Sequence, residues 1–249
     1  MRWVQSPELA ALQGVRHGFT ARSGGVSQGA LGTLNLAPRP GSTPAGVAEN
    51  WARVTARLAL PGAPVALVHQ VHGCGVLDGD GAVSASQVVG EGDAVVVTRP
   101  GVVAAVRVAD CVPVLIAGPG GVAAVHAGWR GTAAGVVAAA VSVLCERTGA
   151  APGDLVAAVG PCISAQAYEV GDEVVQGISA RVPPTVFVHP GQPRPHVDLK
   201  AANAWLLVQA GVERVDVLGH CTHGDAGFYS HRRDGPATGR QAGVIAWSP

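Results

Sequence analysis

Two histidines and one cysteine stand in three separate clusters of unusual residues. The clusters read His69-Gln70-Val71-His72-Gly73, Ala109-Asp110-Cys111-Val112-Pro113 and Val125-His126-Ala127-Gly128-Trp129-Arg130-Gly131. Two imidazoles and a thiolate suit a zinc ion, and three protein ligands leave its fourth position open to water or substrate. Such a set points to chemistry rather than to a structural staple. The spacing of His72, Cys111 and His126 matches no short zinc motif, so the residues alone leave other roles open. His126 also suits a hydrogen-bonded core position. Cys111 suits inert packing, or a nucleophile with His72 or His126 as its base. Its thiolate needs a nearby cation or metal to form at neutral pH. His69 lies three residues before His72, and strand alternation points it elsewhere.

Further groups surround these three. Arg22-Ser23-Gly24-Gly25 offers a guanidinium, a hydroxyl and permissive backbone N–H groups that suit an oxyanion such as phosphate; a plain Gly/Ser turn is the alternative. Trp129-Arg130-Gly131 precedes a helix N-terminus, where anions are favoured. Arg130 either joins a substrate there or locks the turn against a carboxylate such as Asp110. Asp93 either orients an imidazole or caps a strand. Arg232-Arg233-Asp234 reads as a solvated loop, and Cys74, Cys145, Cys162 and Cys221 read as packing.

Composition narrows the field. The 249 residues are 48% hydrophobic and 14% charged, with zero formal net charge, so no basic field invites nucleic acid or a membrane surface. The segment Met1-Arg2-Trp3-Val4-Gln5 has no apolar core of a signal peptide, and no run is long enough to span a bilayer. Five cysteines, an odd count, fit a reducing compartment. A soluble cytoplasmic protein is expected.

The elements that must position these groups follow from hydrophobic texture. Strands are expected at Val65–Val68, Ala94–Thr98, Val102–Val108, Val112–Ala117, Val122–His126, Leu155–Val159, Val186–His189, Val215–Leu218 and Val244–Trp247. Those between 94 and 117 follow so closely that hairpin or meander pairing is expected. Helices are expected from a Thr43 cap to about Leu60, from Thr132 to about Thr148 with Gly149 as stop, and from an Asp198 cap to about Ala210. The Pro-rich stretch 181–196 reads as a surface excursion. The fold class is α+β, one compact domain over residues 1–249, with mixed β-sheet layers flanked by helices.

The motifs together resemble those of the YfiH-like family. Thr20-Ala21-Arg22-Ser23-Gly24-Gly25-Val26-Ser27 with Leu34-Asn35-Leu36 looks like its opening motif. Gln70-Val71-His72-Gly73, Ala109-Asp110-Cys111 with Pro113-Val114-Leu115, and His126-Ala127-Gly128-Trp129-Arg130-Gly131 resemble its three metal-ligand segments. Gly160-Pro161-Cys162-Ile163 with Tyr168-Glu169-Val170, and Ser230-His231-Arg232-Arg233-Asp234-Gly235 with Thr238-Gly239-Arg240, complete the order. His231 departs by standing where the family usually has an aromatic residue, and Gly41-Ser42-Thr43 replaces a Gly-Asp-Asp-like stretch.

Members of that family carry the labels multicopper polyphenol oxidase, laccase-domain protein, purine nucleoside phosphorylase and peptidoglycan editing factor. The resemblance implies an architecture grouped with cysteine-hydrolase-like folds and zinc, or copper, at His72, Cys111 and His126. It implies phosphorolysis of adenosine, inosine or 5′-methylthioadenosine, and adenosine deamination beside it. Catalysis would fall to Cys111, His72 and His126, and substrate binding to Arg22, Ser23 and Arg130, with Arg22 foremost for phosphate. Purine nucleosides and phosphate are the expected partners; no nucleic acid, membrane or protein partner is expected. A cysteine amidase or peptidoglycan-precursor editing factor is the alternative, and a metal-binding protein without turnover is a third. Multicopper oxidase chemistry is unsupported, because the nine histidines contain no His-x-His pair and the only methionine is Met1.

Overall fold

Runs such as Val112 to Ala117 lack the alternation of a strand with one wet face, because both of their faces are covered. In the computed structural model, which describes residues 1–190 and 193–248, two six-stranded sheets are stacked face to face. Sheet one has the order β1 (Trp3–Val4), β2 (Val15–Thr20), β14 (Gln241–Trp247), β7 (Val103–Val108), β3 (Val65–His69), β5 (Gln87–Glu91). Sheet two has the order β13 (Arg214–Val217), β10 (Val156–Val159), β8 (Val112–Gly118), β9 (Gly121–Ala127), β6 (Ala94–Val97), β4 (Val76–Asp78). A small ribbon pairs β11 (Val188–His189) with β12 (His196–Val197).

Successive side chains point to opposite faces of a strand, so each sheet serves two cores. Ala104 and Val106 of β7, with Val95 and Val97 of β6, Leu115 of β8 and Val122 and Ala124 of β9, fill the layer between the sheets. The intervening Val103 and Ala105 meet Trp51 and Val54 of helix α2 (Pro44–Arg57) on the outside of sheet one. Val112, Val114, Ala123 and Val125 face outward from sheet two. They pack against α4 (Val136–Thr148) and α7 (Leu199–Gln209), with α5 (Asp172–Ser179) on the same side. The result is helix, sheet, sheet, helix: the mixed α+β layering expected, in a single domain. Short helices α1 (Pro7–Ala10), α3 (Trp129–Ala134), α6 (Pro184–Phe187) and α8 (His231–Asp234) complete the described α-helices.

The caps at Thr43 and Asp198 form as expected. Thr43 Oγ1 accepts from the Gly46 N–H at 3.0 Å and Asp198 Oδ1 from Ala201 at 3.0 Å. Three expectations are corrected. The strands between 94 and 117 form no meander: β7 belongs to sheet one, whereas β6 and β8 flank β9 in sheet two. Strands buried on both faces carry no mark of which sheet they join. The helix from Thr132 begins earlier, at Trp129, and breaks at Gly135, whose φ of 85° is left-handed. The strand expected from Val186 is confined to Val188–His189, since Pro183 and Pro184 open a helical turn. Buried Val182 and Phe187 anchor that Pro-rich stretch, of which Gly191 and Gln192 lie outside the described residues.

Candidate active site

The three expected ligands meet at one end of the inter-sheet layer. His72 lies in the loop after β3, Cys111 at the turn from β7 to β8, and His126 near the end of β9. Their donor atoms lie within 4.8 Å of one another. Cys111 Sγ is 4.0 Å from His72 Nε2, and the two imidazoles meet edge to face with centroids 4.9 Å apart.

Two of the three positions rest on strained backbone. His72 has φ 63° and Asp110, just before Cys111, has φ 83°. A left-handed non-glycine residue costs about 1–3 kcal/mol and persists only when its surroundings fix it. Asp93 fixes the first: its carboxylate accepts backbone N–H bonds from Val71 (3.3 Å), His72 (3.0 Å) and Gly73 (2.6 Å). Gln70 ties the same loop to β7, donating to Arg107 O at 2.8 Å and accepting from Arg107 N at 3.0 Å. The second is fixed by the Asp110 carboxylate, which accepts from Thr222 Oγ1 (2.6 Å), Ser230 Oγ (3.0 Å) and the Arg232 N–H (2.6 Å). Asp110 therefore serves the turn and does not pair with Arg130, whose guanidinium stacks over Trp129 at 4.3 Å.

Asp93 also receives His126 Nδ1 at 2.8 Å, leaving Nε2 of that ring for the other two donors. Burial would hold the Cys111 thiol protonated, but the adjacent His126 charge and hydrogen bonds from His126 and His72 bring it down to about 6. Burial would likewise keep His126 neutral, yet Cys111 and Asp93 raise it to about 9. The site thus favours a thiolate at neutral pH, the form that binds metal or attacks a carbonyl. Gly128 leaves the space this requires. A Cβ there would sit 3.0 Å from His72 Cδ2 and 3.1 Å from Cys111 Sγ. Two imidazole nitrogens, one ionised sulfur and a carboxylate-oriented histidine fit a borderline-soft divalent ion such as zinc.

The triad opens onto a cavity of about 790 Å³ lined by five arginines, Arg39, Arg107, Arg130, Arg232 and Arg240. Tyr168, Trp129, His69 and His231 share the lining. Arg130 is therefore brought to the triad. Arg22 and Ser23 are not in the lining: Arg22 lies over the Tyr229 ring, donates to Ala30 O at 2.9 Å and approaches Asp234 at 3.8 Å. The neighbouring N–H groups of Gly24 and Gly25 are taken by Thr33 Oγ1. His69, expected to face elsewhere, lines the cavity; the register of β3 against β5 shifts between Leu67 and His69, so strict alternation fails there. Arg232, read as part of a solvated loop, lines it too. Arg233 instead folds inward onto the carbonyls of Thr222, His223 and Phe228. Arg39, Arg107, Arg240 and Tyr168 were missed, although a charge inside the apolar run of β7 was a usable signal for Arg107.

Residues 16–248 match the family model described as multi-copper polyphenol oxidoreductase laccase. The chain belongs to this family. A family member named purine nucleoside phosphorylase from Deinococcus radiodurans is 42% identical over 247 residues, 97% of this chain and 91% of that protein. Another of that name, from Mycobacterium tuberculosis, is 40% identical over 233 residues, covering 93% and 91%. Among solved structures, YlmD from Geobacillus stearothermophilus superposes with a TM-score of 0.90 at 32% identity, covering 100% of this chain and 97% of that one. YfiH from Bacillus licheniformis gives 0.86 at 30%, covering 94% and 93%. None of the described helices is long and apolar enough to cross a membrane.

Proposed function

We propose that the chain is a zinc-dependent purine nucleoside phosphorylase acting on adenosine, inosine and 5′-methylthioadenosine in the cytoplasm. One observation carries this reading: the His72, Cys111 and His126 donors open onto a cavity lined by five guanidinium groups. Anionic co-substrate and uncharged nucleoside are what such a cavity accommodates, and about 790 Å³ falls in the range of small-molecule sites. The names of relatives about 40% identical along most of the chain support the same reading.

In phosphorolysis an orthophosphate oxygen forms a bond to C1′ of the nucleoside as the C1′–N9 bond breaks. The electron pair passes to N9, which takes up the proton that the attacking hydrogen phosphate gives up, and the products are the sugar 1-phosphate (ribose 1-phosphate from adenosine or inosine) and free purine. The protein supplies position and charge: guanidinium groups hold the phosphate, and aromatic faces such as Tyr168 suit the base. Zinc held by His72, Cys111 and His126 would supply Lewis acidity, which deamination of adenosine at C6 also requires. Asp93 keeps His126 in one tautomer and the His72 loop in one place.

The test is inosine incubated with zinc-loaded protein, with and without phosphate, and the products separated. Hypoxanthine and ribose 1-phosphate are expected only when phosphate is present. No release of base under those conditions removes the reading.

A second reading is favoured by the thiol itself. Cys111, brought down to about 6 with His72 Nε2 at 4.0 Å, is equipped as a nucleophile for an amidase acting on peptidoglycan precursors. Chelation separates the two: a cysteine amidase keeps its activity without metal and a zinc phosphorylase loses it.

A further inference from the structure

We propose that orthophosphate binds on the sheet-one wall of the cavity, held by Arg39, Arg107 and Arg240; this deepens, and rests on, the phosphorolysis reading. Arg39 Nε and Arg240 Nη1 both donate to a single carbonyl, Thr238 O, at 3.1 and 2.9 Å. Two guanidinium groups that share one acceptor are close neighbours. Arg107 is on the adjacent strand, where its Cα partner is Ala242, two residues beyond Arg240.

Among the described residues none of the three has a carboxylate within 4 Å, although the chain's acidic residues elsewhere pair with Arg2, Arg53, Arg147 and Arg233. Three half-buried like charges with no carboxylate in ion-pair reach repel one another, Cys111 and Asp110 offset this at Arg240 only from farther away, and an anion bound between the three removes the remaining cost. Burial, and then the Arg39 charge, push Arg240 down to about 10, so it stays cationic at neutral pH.

Donors also remain free. Arg240 uses Nη1 on the carbonyls of Thr238 and Gly239, leaving Nε and Nη2 without a protein partner among the described residues. Arg107 commits only Nη2, to Val68 O at 3.3 Å, and Arg39 leaves Nη1 free. The other two cavity arginines are differently engaged. Arg130 stacks over Trp129 and Arg232 over Tyr168 at 5.2 Å, both on the sheet-two side. A tetrahedral dianion presents oxygens to several guanidinium forks at once, which a planar carboxylate does not.

Inorganic phosphate titrated calorimetrically into zinc-loaded protein tests the assignment without turnover. Saturable binding is expected, weakened roughly 10- to 100-fold in Arg39→Gln and in Arg240→Lys, the loss of one charge-assisted contact. Inosine binding without phosphate should change less than about threefold. Thermal unfolding confirms that each variant folds; should Arg240→Lys not fold, Arg39→Gln carries the test alone. Unchanged phosphate binding in the folded variants overturns the subsite, as does loss confined to Arg22→Ala. Inosine 5′-monophosphate binding through these arginines without competition from orthophosphate overturns it as well. Phosphate bound as described but with no base released supports the subsite and removes phosphorolysis. Phosphorolysis with phosphate affinity unchanged in both variants does the reverse.

Discussion

Asp93 Oδ1 lies 2.8 Å from His126 Nδ1 and 3.0 Å from the backbone nitrogen of His72, so one buried carboxylate positions two of the three donors. It reaches the first through a side chain and the second through a loop. Burial opposes its charge, but the His126 hydrogen bond and the N–H groups of Gly73 and His72 hold it below the usual carboxylate range.

Asp93→Asn should therefore lower zinc affinity roughly 10- to 100-fold, the usual effect of losing a carboxylate behind a ligating histidine. Competition against a chromophoric chelator measures it. Affinity equal to that of the natural chain would mean the loop and ring are held by other contacts.

Gly128→Ala probes space rather than charge. The φ of Gly128 is −74°, ordinary for any residue, so the backbone is not strained by the change. The new Cβ falls against His72 and Cys111. Metal affinity and turnover should drop at least about tenfold while the melting temperature moves little. A large loss of stability with intact metal binding would contradict this.

The cysteines separate by role. Cys111→Ser replaces a soft thiolate with a neutral alcohol and should abolish turnover and weaken metal binding, with the fold retained. Cys162 is fully buried, and its thiol is pushed up by burial first. Cys162→Ser should cost on the order of 1–3 kcal/mol of stability and leave activity per folded molecule unchanged. Activity that survives Cys111→Ser but not Cys162→Ser would place the chemistry on the wrong cysteine.

His17 sets a pH dependence away from the site. Burial lowers it from 6.5 to about 4, and its Nε2 accepts the Ser6 N–H at 2.9 Å, which requires the neutral ring. Between those two pH values the unfolded chain binds more protons than the folded one, so stability rises with pH. Acidification through this window should cost up to about 3 kcal/mol. His17→Gln, which keeps an acceptor, should flatten the melting temperature between pH 4 and 6.5; an unchanged slope would exclude His17 as the source.

Much of this was legible in the sequence, for identifiable reasons. Caps at Thr43 and Asp198 depend on neighbours three residues away, and they form as read. His72 and His126 stand out because each sits beside glycine and polar residues where texture predicts a strand end, and Cys111 because it follows Asp110 between two apolar runs. Sheet membership was not legible. β6, β7 and β8 are apolar on both faces, so alternation gives no face to assign, and the crossing at Asp110 depends on Thr222 and Ser230, over a hundred residues away. The same distance hid the arginine cluster. Arg39, Arg107 and Arg240 become neighbours only when β14 lies beside β7.

The place of β14 has a kinetic consequence. It is inserted between β2 and β7, with Ile245 paired to His17 on one side and Ala104 on the other. Sheet one therefore cannot close from local hairpins; it waits for a strand from the opposite end of the sequence to find a central slot. Loops of that length form late, and chains dominated by such distant pairings fold slowly. Until that strand arrives, β2 and β7 each present an open edge that another molecule can occupy. Refolding should accordingly be slow and sensitive to protein concentration, with aggregation competing for the vacancy that residues 241–247 fill.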